Sequence, residues 1–324
     1  MANELEVNIP ITCLIKDKYK DKKYDLPVGP LSYLYRNGIH VHSCIGDGYF
    51  SAAYEGRYTE KAKLPTGCEK YLGKEFAVKI HHIGYHPYIP GAPNKEKIDR
   101  QTLNEIHFSK RTDIVHPNLI RFHFTFEYPE KSTTVCDHVF MFMEKAMFPL
   151  QDLINCLIRL RATVPVSVGL RWMRDLYSGL IHLHSLGIAH NDLHSYNVFV
   201  FGDCGQQIGS DFRYTNIVLK IADYGESVDT SKFKPKEAER LYEFDLEDLC
   251  SRCFIPLCQV IAFNERDRNM LVDSLQDTID HGHPFQNILN KMMTIKNAEN
   301  EKELSLRTRK SLEDCLDSNT SNRP

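Results

Sequence analysis

From Ile39 onward the chain alternates: Ile39, Val41, Ser43 and Ile45 are separated by His40, His42 and Cys44, the period of two that a half-buried strand requires. The turn GDG follows, and YFSAAYEGRY reads as a second strand that closes a hairpin. GKEFAVKIHH is a third strand, reached through a polar insertion that contains Pro65 and Gly67. HHIGYHPYIPGAPNKEKIDR reads as a loop leading into a helix from around Leu103 to Lys110, and LIRFHFTFEY and HVFMFMEK are two more strands. Beyond Lys145 the spacing changes. FPLQDLINCLIRL is helical, and so is the stretch from Val168 to Leu186, where Leu170, Met173, Leu176, Tyr177, Leu180 and His184 recur every three or four positions. Gly187 supplies the C-terminal stop of that helix. YNVFVF and IVLKIAD are short strands on either side of a loop rich in Gly, Asp and Gln, and the chain from about Ala238 to Ile295 is mostly helical. Residues 1–36 are mixed, with NIPITCLI as a short strand, and the polar tail 299–324 is expected to be disordered. A strand-rich segment, 37–145, followed by a helical one, 146–298, is an α+β pattern.

Composition narrows the class. The chain has 324 residues, 42% hydrophobic and 26% charged, enough for one large domain or two modest ones with a sizeable core. A net charge of −3 gives no sign of a nucleic-acid or anionic-membrane partner, and the run KDKYKDKKYD interleaves its bases with acids. Ten cysteines at irregular spacing do not make a disulfide framework, and no apolar stretch resembles a signal peptide or a membrane span. Reduced cysteines and a cytoplasmic or nuclear location are therefore expected. Cys250 and Cys253 form a C-x-x-C inside a helical pattern without a second ligand pair, which favours core packing over zinc. The sequon at Asn319 reads as chance.

The chemistry lies in residues whose order matters more than any one of them. HNDLHSYN, residues 190–197, carries Asp192 between His190 and Leu193, with Asn197 five places after the Asp. Upstream, IGDGYFSAA spans the first hairpin turn; taken alone, a G-x-G there is an ordinary tight turn. Lys79 stands in the otherwise apolar FAVKI, Glu105 falls on the following helix, and ADYG brings Asp223. With ATP in the cleft each has a physical task. The small residues Gly46, Gly48 and Ser51 let backbone approach a triphosphate. Lys79, fixed by Glu105, holds its α- and β-phosphates. Asn197 and Asp223 are hard oxygen donors suited to Mg²⁺. Asp192 orients the attacking hydroxyl and accepts its proton.

These residues, in this order on these elements, resemble the eukaryotic protein kinase family from about Ile39 to the helix near Asp245. HPNLIRF is similar to the segment after the regulatory helix, FMEKA to the hinge, and FDLEDLC to the buried helix that begins with Asp. The resemblance implies a bilobal fold, with residues 37–145 as N-lobe, 146–298 as C-lobe and 1–36 as an extension. It implies ATP and Mg²⁺ as cofactors and a protein as substrate, with no nucleic-acid or membrane partner. It implies that Ile45, Gly46, Asp47, Gly48, Tyr49, Phe50, Ser51, Ala52 and Ala53 border the nucleotide, that Ala53 and Ala77 cap the adenine ring, and that Met143 is the gatekeeper. Backbone groups of Glu144 and Ala146 would meet the adenine edge. Lys79, Glu105, Asp192 and His194 are the catalytic set, and Asn197 and Asp223 the metal ligands.

The sequence departs from the family in five places. Asn191 removes the Arg that in many kinases grips a phosphorylated activation loop, and His194 replaces a permanent cation with an imidazole. Tyr224 stands for Phe after the metal-binding Asp, and Ser109 for an apolar residue on the regulatory helix, which is expected to loosen it. Between Gly225 and Asp245 there is no A-P-E motif; PKEAERLYEF is a candidate remnant. The D-L-H triplet, Tyr224 and the missing A-P-E together are similar to haspin-type kinases. Three functions follow: an active Ser/Thr kinase, a pseudokinase that acts as a binding module, and a small-molecule phosphotransferase. The complete catalytic set favours the first.

Overall fold

Five strands form one antiparallel sheet in the order β1-β2-β3-β5-β4: β1 (Ile39–Asp47), β2 (Ser51–Tyr58), β3 (Glu75–His82), β4 (Phe122–Tyr128) and β5 (His138–Met143). The computed structural model describes residues 28–47, 51–82, 95–128, 138–202, 216–281 and 287–298. The strand expected in NIPITCLI and the tail 299–324 lie outside them. Strand β3 runs through the middle of the sheet, and its alternation decides what the cleft receives. Phe76, Val78 and Ile80 are buried in an aromatic core with Tyr58, Phe140 and Phe142. Ala77, Lys79 and His81 therefore project from the opposite face. A slip of one residue would drive the ammonium into that core. The neighbouring register sets Ala53 beside Lys79 and Ala77 beside Met143.

A helix that the sequence pattern did not reveal, α1 (Val28–Arg36), buries Leu34 against this sheet and stacks Tyr33 on Phe126 at 5.1 Å between ring centroids. The next helix, α2 (Lys95–Ser109), starts eight residues before the expected Leu103. Its first turns, KEKIDR, are good helix formers but carry no apolar stripe, so periodicity does not mark them.

The second half is helical: α3 (Leu150–Leu160), α4 (Val166–Ser185), α5 (Pro235–Leu249), α6 (Ile255–Cys258), α7 (Glu265–His281) and a helix over residues 287–298. Helix α4 buries Leu170, Trp172, Met173, Leu176, Leu180 and Leu183 at the centre of the larger core, and the Trp172 indole donates to the Ile217 carbonyl at 3.3 Å. Gly187 follows its C-cap with φ of +72°, the left-handed conformation that glycine adopts without strain. Cys250 and Cys253 are both fully buried in this core, and burial pushes the Cys250 thiol up to about 12. Small strands frame the cleft floor: β6 (Phe148–Pro149), β8 (Val198–Phe201) and β9 (Val218–Ile221) form one sheet, and β7 (Ile188–Ala189) pairs with β10 (Val228–Asp229). Among the described residues no helix is long and apolar enough to cross a membrane. The architecture is the expected bilobal α+β one.

Helix α5 corrects one expectation. It begins at Pro235, so Asp245 lies in its interior rather than at its start, and PKEAERLYEF, the candidate A-P-E remnant, forms its first turns. Pro at the first position needs no N–H partner, and the Glu237 carboxylate accepts the Lys234 backbone N–H at 3.2 Å, so the helix is started early by its own cap.

Candidate active site

Strand β3 and helix α2 meet at one ion pair. Lys79 Nζ lies 2.8 and 2.7 Å from the two Glu105 oxygens and 3.3 Å from Asp223 Oδ2. Burial favours the neutral amine, but the facing Asp223 and Glu105 carboxylates outweigh it and hold the ammonium above its ordinary pKa. His81, two residues along the same strand face, places Nε2 3.2 Å from Glu105 Oε2 without a hydrogen bond to it, so Lys79 is the group of β3 that binds this carboxylate. Ser109, expected to loosen α2, is buried; its hydroxyl donates to the Ile106 carbonyl at 2.8 Å and lies 3.1 Å from Thr125 Oγ1 of β4. The polar side chain therefore pins the helix to the sheet.

The loop that carries Asp192 hangs from Asp245. This fully buried carboxylate accepts the backbone N–H groups of His190 and Asn191, each at 2.7 Å, and faces His184 Nε2 at 2.8 Å. The grip holds Asn191 at φ of +61°, a conformation that Asn tolerates better than most residues. Within the loop, Asn197 Nδ2 donates to the Asp192 backbone carbonyl at 2.9 Å and to Asp192 Oδ2 at 3.2 Å. Tyr196 N–H donates to His194 Nδ1, so the neutral imidazole carries its hydrogen on Nε2, the atom 3.6 Å from Asp192 Oδ2. Burial raises the pKa of the Asp192 carboxyl, yet His194, His190 and Arg252 outweigh it and hold the group below the usual carboxylate range.

Asp223 has φ of +64°, a strained setting for a non-glycine residue. Its carboxyl is likewise pushed up by burial and brought net below its ordinary value by Lys79, the Gly225 N–H and His190. Tyr224 is fully buried between Phe122 and the His190 ring, with centroids 6.0 and 5.8 Å away, and packs also on Phe108. The segment that follows is tied to α2 by amides. Asn104 Nδ2 donates to the carbonyls of Gly225, at 3.0 Å, and Ser227, while Gln101 donates to the Glu226 carboxylate. Asn191, where the family carries Arg, donates to the Glu226 carbonyl at 3.3 Å. Ser227 and Thr230 are only 1% and 4% exposed, with hydroxyls engaged by the His190 carbonyl and Tyr242.

At the hinge, Glu144 donates its N–H to the Arg121 carbonyl at 3.0 Å, and its carboxylate faces Lys220 at 2.7 Å. Met143 ends β5, and Ala146 is half-buried just beyond. Ile45, Gly46, Ser51, Ala52 and Ala53 stand at the paired ends of β1 and β2, with Gly46 opposite Ala53. Gly48, Tyr49 and Phe50, and the side chain of Asp47, lie outside the described residues.

The protein kinase domain model matches residues 39–241, well over half of the chain. The chain belongs to the protein kinase family. A probable serine/threonine-protein kinase, MARK-B of Dictyostelium discoideum, is 27% identical over 157 residues, which are 48% of this chain and 19% of that protein. The donor set of this kinase suits Mg²⁺. Among the described residues no group of three or more His, Cys, Asp or Glu could enclose a metal alone. An Asn and an Asp leave coordination positions for water and phosphate oxygens, as Mg²⁺ prefers. Asn197 spends its amide nitrogen on Asp192, leaving the carbonyl oxygen as its donor. Sequence reasoning missed Gln101, Asn104, Lys220 and Arg252. Helical spacing was the one available signal for the first two, since positions 101, 104 and 105 share a face of α2.

Proposed function

We propose that this chain is an active protein kinase that transfers the γ-phosphoryl group of Mg-ATP to Ser or Thr of proteins. One observation carries the reading: Lys79, Glu105 and Asp223 are mutually engaged while Asp192 and Asn197 are already in contact. On this reading Lys79 binds the α- and β-phosphates of ATP, and Glu105 keeps its ammonium in place. The segment from Ile45 to Ala53 borders the phosphates, Ala53 and Ala77 cap adenine, Met143 limits the pocket depth, and backbone groups of Glu144 and Ala146 meet the adenine edge. Asn197 and Asp223 hold Mg²⁺, which when bound neutralises charge on the transferring group. Asp192 orients the acceptor hydroxyl and takes its proton, with His194 beside it. Residues 37–145 are the N-lobe and 146–298 the C-lobe, with 1–36 an extension and 299–324 a polar tail. We place the chain in a cytoplasmic or nuclear setting, where buried thiols such as Cys156, Cys250, Cys253 and Cys258 stay reduced.

Activation needs no phosphate on the segment after Asp223. The Asn104, Gln101 and Asn191 amides already tie that segment to α2 and the catalytic loop, the task an Arg–phosphate contact performs elsewhere. Between β10 and α5 the chain has only a 3₁₀ turn, Thr230–Lys232, before Pro235. That brevity favours a second reading, a kinase-shaped binding module with no acceptor platform. The test is incubation of purified full chain with γ-labelled ATP, Mg²⁺ and generic proteins, followed by phosphoamino-acid analysis. Labelled Ser or Thr supports the proposal; nucleotide binding without any transfer supports the binding module.

A further inference from the structure

Helix α5 does not end cleanly. It passes into a π-helical turn, Cys250–Phe254, directly beneath the catalytic loop. Such turns are rare and recur at functional sites, because the wider ring re-aims side chains and releases carbonyls from the regular ladder. Both effects meet at Arg252. Its carbonyl accepts from the Ser195 backbone N–H at 3.2 Å and from the Ser195 hydroxyl. Its Nη1 lies 3.6 Å from Asp192 Oδ1 and 3.1 Å from Asp248 Oδ2. The two oxygens of Asp192 thus face different partners: Oδ1 faces Arg252, while Oδ2 faces His194 and Asn197. The loop residue His194 stands where a permanent cation is usual, and an imidazole is not one. A guanidinium is, and Asp248 holds it in place from one helical turn earlier.

We propose that Arg252 is a positioning residue for phosphoryl transfer, fixing the Asp192 carboxylate from below and supplying the permanent cation that His194 does not. The inference rests on the kinase reading above. A side-chain substitution spares the carbonyl that anchors Ser195, so the catalytic effect is separable from folding.

The test uses the full chain and five proteins: wild type, Arg252→Lys, Arg252→Gln, Arg252→Gln/Asp248→Asn, and Arg252→Gln/His194→Lys. Replacing Asp248 in the third variant avoids leaving its carboxylate unpaired. Nucleotide-free melting and the melting shift with Mg-ATP are measured beside kcat and KM for ATP at pH 8. Expected are unchanged melting and ATP shift throughout, a kcat about tenfold lower or more in Arg252→Gln and in Arg252→Gln/Asp248→Asn with KM for ATP within about twofold, and most of the rate kept by Arg252→Lys. Restoring a fixed cation through His194→Lys should recover most of what Arg252→Gln loses. The proposal is overturned by wild-type kcat in Arg252→Gln/Asp248→Asn, by an Arg252→Lys protein as slow as Arg252→Gln, by no recovery with His194→Lys, or by melting that falls in step with rate. Wild-type protein that transfers no phosphate overturns the kinase reading itself; active wild type with no split among the variants overturns only the role of Arg252.

Discussion

Replacing Asn104 by Leu probes how this kinase holds helix α2 against the segment after Asp223. The side chain is similar in volume, so the perturbation is mainly the loss of two hydrogen bonds, to the carbonyls of Gly225 and Ser227. A net contribution of about 1 kcal/mol for each bond, plus part of the cost of leaving partly buried carbonyls without a donor, gives about 2–3 kcal/mol against the arrangement in which α2 meets the segment after Asp223. If only that arrangement turns over, its occupancy falls by at most about 30- to 150-fold. Gln101 with Glu226 and Lys79 with Glu105 still favour closure, so a loss of roughly fivefold or more in kcat/KM for ATP is the expected result. Gln101→Leu should behave similarly but more weakly, since it breaks one exchange with a carboxylate rather than two with backbone. The assay is labelled-phosphate transfer at low and saturating ATP, with melting measured in parallel. A folded Asn104→Leu protein with wild-type kcat/KM would refute the idea that the amide ties replace a phosphate switch.

Three further predictions concern single side chains. Asp223→Ala should abolish the rise in melting temperature that Mg-ATP gives wild type, because it removes the proposed metal ligand and a partner of Lys79; an intact shift would exclude Asp223 from the metal site. Ser231 is the exposed hydroxyl of the segment after Asp223, bonded locally to Asp229, so Ser231→Ala should leave the rate within about twofold; a collapse would reveal a phosphorylation requirement. Tyr224 is fully buried with a hydroxyl that has no hydrogen-bond partner among the described residues, so Tyr224→Phe should stabilise the fold by about 1 kcal/mol, a rise of about 2–4 °C in Tm, and a lower Tm would show that the hydroxyl is satisfied.

The legible part of this protein was the part that repeats or keeps its spacing. Alternation in FAVKI marked Lys79 as the odd polar residue of a strand, and the structure shows why: Phe76, Val78 and Ile80 occupy the core face, so position 79 must point elsewhere. Asp192, Asn197 and Asp223 were legible from order along the chain, and they are brought to one cleft by the Asp245 anchor and by strands β8 and β9. Arg252 was not legible, because its reach to Asp192 depends on a π-helical turn that leaves no periodic signature. Helix α5 was partly legible: Pro235 and Glu237 are a start signal, obscured by the expectation that the helix begins at Asp245. Ser109 shows the opposite failure, where a polar residue read as a defect makes two hydrogen bonds in a buried position.

The most direct test of the account compares wild type with Asp192→Asn in the same pair of assays. Asn197 holds Asp192 through its backbone carbonyl as well as its carboxylate, so the loop should survive the change and Mg-ATP should still raise Tm. Losing the group that accepts the hydroxyl proton should lower label transfer by roughly two orders of magnitude or more. Wild-type protein freed of co-purifying kinases that transfers no label, or an Asp192→Asn protein that transfers as much as wild type, would contradict the claim that this site moves phosphate.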